Sequence, residues 1–218
     1  MWMAGSVNLV MIYLSLETVS VASYIMVGYL SSDRLSNEAS LKYILFGAVS
    51  TGAMLFGLSL LYGMTGTLDL YEVRAALAEG VFGPGLLLVV ILVAAGIGFK
   101  IAAAPFHFWC PDVYTGAPTP VTAFLSVGPK AAGFAILIRF FFLGMAEPTG
   151  GGAISPVGGA DWQMLLMILS VITMTLGNVA ALLQTNVKRL LADSSIAHAG
   201  TMLMAACVLS VEGVQAIV

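Results

Sequence analysis

Long apolar runs recur along the whole chain, and they constrain the possible folds more than any other feature of the sequence. Six of them are close to the ~20 residues that an α-helix needs to cross a bilayer. They span residues 6–30, 41–64, 85–109, 119–145, 162–184 and 190–212. Only 9% of the residues are charged, whereas a soluble domain is about 25% charged. The sequence therefore predicts an all-α polytopic membrane protein with about six transmembrane helices, in a single transmembrane domain that covers residues 1–218.

Two segments between the apolar runs have a different character. Leu70, Val73, Leu77 and Val81 fall at helical spacing among acidic residues, which predicts a short amphipathic helix on the membrane surface. The segment EPTGGGAISPVGGAD, residues 147–161, is rich in glycine. Such a composition predicts a surface loop between the fourth and fifth helices.

Lysine and arginine are unevenly divided between the two sides of the membrane that this topology creates. One side receives Arg34, Lys42, Lys188 and Arg189, and the other receives Arg74 and Arg139. Positive residues accumulate in cytoplasmic loops. We therefore expect the first side to be cytoplasmic and the N-terminus to lie outside.

Two lysines occur inside apolar runs, and each lies close to a proline. Lys100 comes five residues before Pro105, and Lys130 directly follows Pro129. A proline lacks an N–H and displaces the carbonyl four residues earlier, and broken backbone at membrane depth is tolerated only where protein or water satisfies it. A charge at the bilayer centre is costly, so an intramembrane lysine indicates a function. The pattern predicts two helix breaks, one of them near Ala104–Pro105, and a polar path through the membrane.

Two further ionisable residues lie in apolar runs. Glu17 is near the middle of the first run, where an uncompensated carboxylate is rare. We expect Glu17 and Lys100 to approach each other inside the bundle, because neither can face lipid cheaply. His198 lies in the sixth run, and histidine is the side chain that titrates nearest neutral pH. The alternative for His198 is a core histidine whose hydrogen bonds are satisfied, and the alternative for Lys100 is a side chain that snorkels to the membrane interface. Lys130 is less able to snorkel because it lies deeper in its run.

The remaining polar residues near these runs have structural interpretations. We expect Asp112 to cap or brace the proline-rich turn, and Lys188 and Arg189 to anchor the chain on the cytoplasmic side. Asp193, one turn into the sixth run, is expected to pair with these two cations. His107 lies in the loop-like stretch after Pro105, where a structural or interfacial role is as plausible as a functional one.

The motif content argues against a bound cofactor in this chain. Its two cysteines, Cys110 and Cys207, are far apart and form no CxxC, whereas an iron–sulfur cluster or a structural zinc ion needs more ligands. Neither GxGxxG nor a Walker A motif occurs, so there is no sign of a nucleotide site. We expect no cofactor and no metal in this chain, the lipid bilayer as its surroundings, and no nucleic acid among its partners.

Three segments resemble a known family. FKIAAAPFHFWCPDVYTGAPTPVTAFLSVGPKAAGFAILIR, residues 99–139, resembles the antiporter-like subunits of respiratory complex I, the NADH-quinone oxidoreductase. LSLETVSVASYIMVGYL, residues 14–30, is similar to the fifth helix of that family, and NVKRLLADSSIAHAG, residues 186–200, to the segment before and inside its tenth helix. The resemblance covers nearly the whole chain but only about helices five to ten of the family's fourteen.

The resemblance implies a proton-translocating membrane-arm subunit in the inner (plasma) membrane, built on inverted five-helix repeats with broken helices. Glu17 and Lys100 match the family's glutamate–lysine pair, Lys130 matches the lysine of the eighth helix, and His198 matches the central histidine of the tenth. Flavin and iron–sulfur clusters are then expected in partner subunits, and quinone elsewhere in the complex. Other membrane-arm subunits of complex I are the implied partners.

The sequence departs from the family in a few respects. Asp193 stands where the family commonly has tyrosine, and Cys110 where it often has threonine. The family's second broken helix lies beyond the part that the resemblance covers, and we expect the chain to be a fragment or the product of an incompletely assembled gene. Two alternatives stay open: a subunit of a multi-subunit Na⁺/H⁺ antiporter or membrane-bound hydrogenase, and a structural scaffold with inert charges.

Overall fold

The computed structural model describes residues 1–80 and 82–217. In this part of the chain the helices are α1 (Trp2–Gly5), α2 (Leu9–Val27), α3 (Arg34–Thr65), α4 (Leu70–Glu79), α5 (Gly83–Ile101), α6 (Trp109–Gly116), α7 (Thr119–Ile138), α8 (Trp162–Leu182), α9 (Val187–Ala206) and α10 (Val211–Ile217). A π-helical turn, Arg139–Leu143, extends α7. It is followed by an antiparallel hairpin of β1 (Ala146–Gly150) and β2 (Ala153–Pro156).

The helices confirm the predicted polytopic membrane fold. Within the described residues, five are long and apolar enough to cross a membrane: α2, α3, α5, α7 with its π-helical turn, and α8. The sixth predicted run also forms a helix, the 20-residue α9. It is less apolar than the other five because it carries Lys188, Arg189 and Asp193. The predicted run 190–212 extended too far, since α9 ends at Ala206 and the chain turns before α10.

Glycines bring α8 and α9 into close contact. A Cβ atom on Gly177 would lie 2.6 Å from the backbone nitrogen of Ala197, and one on Gly200 would lie 2.6 Å from the backbone nitrogen of Met174. The hydroxyl of Ser170 donates a hydrogen bond of 2.8 Å to the carbonyl of Gly200. Small residues at such positions let membrane helices approach closely. This packing fixes α9 against α8.

The amphipathic segment forms α4, as predicted, but its apolar face does not meet the membrane surface. Leu70, Val73 and Leu77 are completely buried and belong to the main hydrophobic core of the protein. Val81, the fourth residue of the predicted apolar face, lies outside the described residues. The helical period was predicted correctly, while the partner of the apolar face is protein rather than lipid.

The glycine-rich segment contains regular structure where a loop was predicted. β1 and β2 pair with Ala146 opposite Pro156 and Glu147 opposite Ser155. The turn between them contains Gly151 and Gly152, whose φ angles are 63° and 83°. Two consecutive residues with positive φ suit a tight hairpin turn, which glycine adopts without strain.

The third apolar run is interrupted where its proline predicts. Helix α5 ends three residues before Ala104–Pro105, and regular helix resumes with α6. Two side chains bond to backbone groups at the break. The indole of Trp109 donates to the carbonyl of Phe99 over 3.1 Å, and the hydroxyl of Thr173 accepts from the Ala104 N–H over 3.0 Å. Partners supplied by the protein therefore allow non-helical backbone in an apolar setting.

The second predicted break is wrong. Helix α7 contains Pro129 and continues through it without interruption. A proline inside a helix removes the hydrogen bond to the carbonyl four residues earlier, here that of Leu125. Lys130 is therefore presented from within a continuous helix.

Candidate functional site

Lys100 is the most enclosed of the predicted site residues. It lies at the last turn of α5, and only 1% of its surface is exposed. Its ammonium group donates a hydrogen bond of 3.1 Å to the hydroxyl of Ser20 on α2, which is itself completely buried. The side chain therefore does not snorkel toward an interface but points across the bundle to a neighbouring helix.

Glu17 lies on the same helix as the partner of Lys100. It precedes Ser20 by three residues, so the two side chains share one face of α2. The Glu17 carboxylate is within electrostatic range of Lys100, yet among the described residues no ion pair joins them. One oxygen of Glu17, Oε2, is buried without a hydrogen-bond partner. The direct partner of Lys100 is therefore Ser20 and not Glu17, and the pairing of Glu17 with Lys100 stays a prediction.

Lys130 has a different set of partners. Only 7% of its surface is exposed, and its ammonium group donates to Ser195 on α9 twice, over 2.8 Å to the hydroxyl and over 3.1 Å to the carbonyl. The same ammonium group lies 5.8 Å from the centre of the Tyr114 ring. This distance is within the range of a cation–π interaction. α6, α7 and α9 therefore all contribute to the environment of Lys130.

A cavity of about 610 Å³ opens beside Lys130. It lies between α6, α7 and α9, and Ser195, His198 and Lys188 also line it. In the described chain, the side chain of His198 is exposed and faces this cavity. The structure brings Lys130 and His198 to one cavity, and it places Lys100 on α5 against Ser20 of α2, outside that cavity.

A close helix contact connects the two lysines. Gly133 lies one turn after Lys130 on α7 and faces the end of α5. A Cβ atom at Gly133 would lie 3.4 Å from Cγ of Lys100 and 2.7 Å from a methyl group of Ile101. The stem of Lys100 therefore packs directly against the helix that carries Lys130.

Asp112 connects three helices instead of only bracing its own turn. Its carboxylate accepts from Lys42 on α3 over 2.7 Å and from Arg189 on α9 over 2.7 Å. Lys42 also pairs with Glu38 one turn earlier on α3, over 2.8 Å. These partly exposed charges gather at the end of the bundle that the sequence predicts to be cytoplasmic.

The predicted pairing of Asp193 with Lys188 and Arg189 is wrong. Arg189 bonds to Asp112, and Lys188 donates over 2.9 Å to the carbonyl of Ala117, just after α6. Asp193 is 2% exposed, and its Oδ2 is buried without a hydrogen-bond partner. The cations at the start of α9 reach outward to α6, whereas Asp193 points into the protein.

His107 lies in the break between α5 and α6. Its ring is 4.5 Å from the ring of Phe108, and its Nδ1 is buried without a hydrogen-bond partner. Within residues 1–80 and 82–217, no three His, Cys, Asp or Glu side chains lie together in a way that could hold a metal ion.

Sequence reasoning missed the direct partners of both lysines. Ser20 follows Glu17 by three residues and Ser195 precedes His198 by three residues. Residues three apart share a helix face, so this spacing was the available signal. Tyr114 was not predicted as a partner either, yet only 1% of its surface is exposed and its ring lies beside Lys130.

The fold and these side chains define a class of protein: a multi-spanning membrane protein with a broken helix and buried lysines, as in proteins that move ions across membranes. The family profile described as "NADH:quinone oxidoreductase/Mrp antiporter, TM" matches residues 6–218. The chain therefore belongs to this family.

Curated relatives are similar over almost all of the chain. Subunit N of NADH-quinone oxidoreductase from Anaeromyxobacter sp. (strain Fw109-5) is 50% identical over 226 residues, which cover 99% of this chain and 44% of that relative. Subunit N 2 of NADH-quinone oxidoreductase from Chloroherpeton thalassium is 52% identical over 215 residues, covering 98% of this chain and 41% of that relative. The chain thus spans less than half the length of these relatives.

Two solved structures are also similar. A chain of respiratory complex I from Thermus thermophilus with bound Aureothin has 39% identity and a TM-score of 0.76, over 94% of this chain and 41% of that one. A chain of the membrane-bound sulfane sulfur reductase, an archaeal respiratory membrane complex, has 26% identity and a TM-score of 0.81, over 94% of this chain and 40% of that one. Both are chains of respiratory membrane assemblies.

Proposed function

We propose that this chain is a proton-translocating membrane-arm subunit of an NADH-quinone oxidoreductase. The observation that carries the proposal is the pair of buried lysines, Lys100 and Lys130, on adjoining helices of a chain in the antiporter-like family. The names of the relatives favour this assignment over the alternative, a subunit of a multi-subunit Na⁺/H⁺ antiporter or of a membrane-bound hydrogenase.

The proposal divides the work between this chain and partner subunits. Electrons pass from NADH to quinone through flavin and iron–sulfur clusters in the partners, and this chain moves protons in response. Other membrane-arm subunits surround it within the bilayer of the inner (plasma) membrane. Lys42 and Arg189 lie at the same end of the bundle, since both pair with Asp112, and an accumulation of cations at one end supports placing that end on the cytoplasmic side.

The first step of the proposed mechanism involves Glu17 and Lys100. A nearby carboxylate stabilises a buried ammonium group, while burial in an apolar setting favours the neutral amine. A conformational signal that brings Glu17 and Lys100 together therefore favours uptake of a proton by Lys100, and one that separates them favours its release. The distance between two side chains thereby controls the charge of the lysine.

The next steps involve Lys130 and His198. The stem of Lys100 packs against the helix of Lys130 at Gly133, which supports a route between the two lysines. Lys130 and His198 line one cavity of about 610 Å³, together with the polar side chains of Ser194, Ser195 and Lys188. In the proposed sequence the proton passes from Lys100 through water to Lys130 and then to His198.

The experiment compares Lys130→Ala with Lys130→Arg in the assembled membrane complex. Alanine removes the titratable group, and arginine keeps a charge that cannot be given up at any accessible pH. We expect both variants to lose most proton uptake into vesicles, because neither can alternate between charged and neutral forms. Uptake is normalised to quinone reduction and to the amount of assembled complex, since an unpartnered buried charge also impairs folding. Arg74→Ala, which changes a cation outside the site, serves as the control.

The two variants separate the proposal from its rivals. Near-normal uptake by the arginine variant alone would mean that Lys130 supplies only a fixed positive charge. Near-normal uptake by both would support the scaffold with inert charges. If proton uptake into the vesicles depends on a sodium gradient and not on quinone reduction, the antiporter alternative is favoured.

A further inference from the structure

The two buried lysines share a feature that neither the motifs nor the proposed relay explains. The ammonium group of each donates a hydrogen bond to the hydroxyl of a serine on a neighbouring helix. Lys100 donates to Ser20 over 3.1 Å, and Lys130 donates to Ser195 over 2.8 Å. Within the described residues, neither ammonium group has a carboxylate within 4.0 Å. The same arrangement thus occurs twice, at two separate places in the bundle.

Both hydroxyl groups make the same second contact. Ser20 donates to the carbonyl of Leu16 over 2.8 Å, and Ser195 donates to the carbonyl of Ala192 over 2.7 Å. Because each hydroxyl hydrogen is directed at a carbonyl of its own helix, the oxygen presents its lone pairs to the lysine. The geometry fits a lysine in the charged form, which is a donor only.

A hydroxyl group differs from a carboxylate in what it can do when the lysine loses its proton. A neutral amine carries a lone pair, and a serine hydroxyl is both donor and acceptor. By rotating its hydrogen from the helix carbonyl to the amine nitrogen, the same serine binds the neutral form as well. An ionised carboxylate accepts only and favours the charged form alone.

We infer that Ser20 and Ser195 are positioning residues that hold Lys100 and Lys130 in both protonation states. Ser20 also gives Lys100 an alternative to Glu17 one turn away on α2, so that the ammonium group can leave the carboxylate without becoming unpartnered. This inference rests on the proposed function, because it concerns lysines that gain and lose protons.

Alanine variants of the two serines test the inference in the assembled complex. Hydrogen bonds to charged groups are among the strongest in proteins, and we expect Ser20→Ala and Ser195→Ala each to lower proton uptake per quinone reduced by about tenfold. Ser23→Ala is the matched control for Ser20. Ser23 is equally buried on α2 and donates to the carbonyl of Val19, four residues back, but it is not bonded to a lysine.

Threonine provides a conservative rescue at the second site. Ser195 lines the cavity beside Lys130, so the added methyl group has room, and Ser195→Thr retains the hydroxyl. We expect its proton uptake to stay within about twofold of the unmodified complex, since one rotamer of threonine keeps the same contact. A purely structural role for Ser195 would not make uptake depend on the hydroxyl group.

The outcomes separate this inference from the relay itself. If Lys130→Ala abolishes uptake while Ser195→Ala and Ser20→Ala pump like Ser23→Ala, the serines have no positioning role and the relay stands. If Ser195→Thr is as defective as Ser195→Ala, the hydroxyl is not what matters, and the inference is likewise overturned. If Lys130→Ala itself pumps normally, the proposed function fails first.

Discussion

Replacing Gly177 by alanine is expected to force α8 away from α9. The added Cβ would lie 2.6 Å from the backbone nitrogen of Ala197, 2.9 Å from its Cα and 2.9 Å from the carbonyl oxygen of Asp193. All three are backbone atoms, which cannot rotate aside as a flexible side chain can. The two helices must therefore separate locally by about 0.8 Å to restore an ordinary contact.

The expected cost follows from this overlap. Adding a methyl group to a closely packed interface costs about 1–3 kcal/mol, and alanine recovers about 0.8–1 kcal/mol as a better helix former than glycine. The net loss in the free energy of unfolding is about 0–2 kcal/mol. For a chain of this size, that corresponds to a fall in the melting temperature of up to about 8 °C.

The measurement is the fraction of protein that stays monodisperse in detergent after heating, read by gel filtration. Gly52→Ala is the matched control, because Gly52 lies inside the apolar helix α3 and an added Cβ meets nothing within 4 Å. Both variants gain the same helix propensity. The difference between the temperatures at which half of each variant has lost its monodisperse peak therefore isolates the packing cost. Equal midpoints for the two variants would refute the argument that glycine is required between α8 and α9.

Two further substitutions test the contacts that hold the bundle around the site. Asp112→Asn removes the charged acceptor that α3 and α9 share. Because these charges are partly exposed, two ion pairs at about 0.2–1 kcal/mol each give an expected loss of about 0.4–2 kcal/mol. The loss should shrink when both proteins are melted at high salt. Trp109→Phe keeps an aromatic ring but removes the donor to the Phe99 carbonyl, with an expected loss of about 1–3 kcal/mol. Trp2→Phe, at a side chain that is 71% exposed, should leave the melting temperature unchanged.

The membrane-spanning helices could be predicted because each depends on a property of one segment. Hydropathy over about 20 residues fixes whether a segment can span, and five of the six predicted runs meet that criterion in the described structure. The bounds were less accurate. Helix α3 begins at Arg34, before the apolar run starts, because the Asp33 side chain accepts from the N–H of Leu35 over 3.1 Å and caps a polar first turn.

The two prolines show why a local signal was not sufficient. Pro105 and Pro129 predict the same interruption, yet only the segment at Pro105 is broken. At that break, Trp109 and Thr173 supply partners for the backbone from other elements. A sequence shows which hydrogen bond a proline removes, but not whether a neighbouring helix supplies a replacement, and that supply decides between a break and a continuous helix.

The same distinction separates the charged site residues from their partners. Glu17, Lys100 and Lys130 were recognisable because an ionisable side chain in an apolar run is costly and therefore rare. Serine at that depth is not costly, since its hydroxyl can bond to a carbonyl of its own helix, as both Ser20 and Ser195 do. Within α2, only its position three residues after Glu17 distinguishes Ser20 from its neighbouring serines. Only the packing of α5 against α2 selects it, by bringing an ammonium group to one particular hydroxyl.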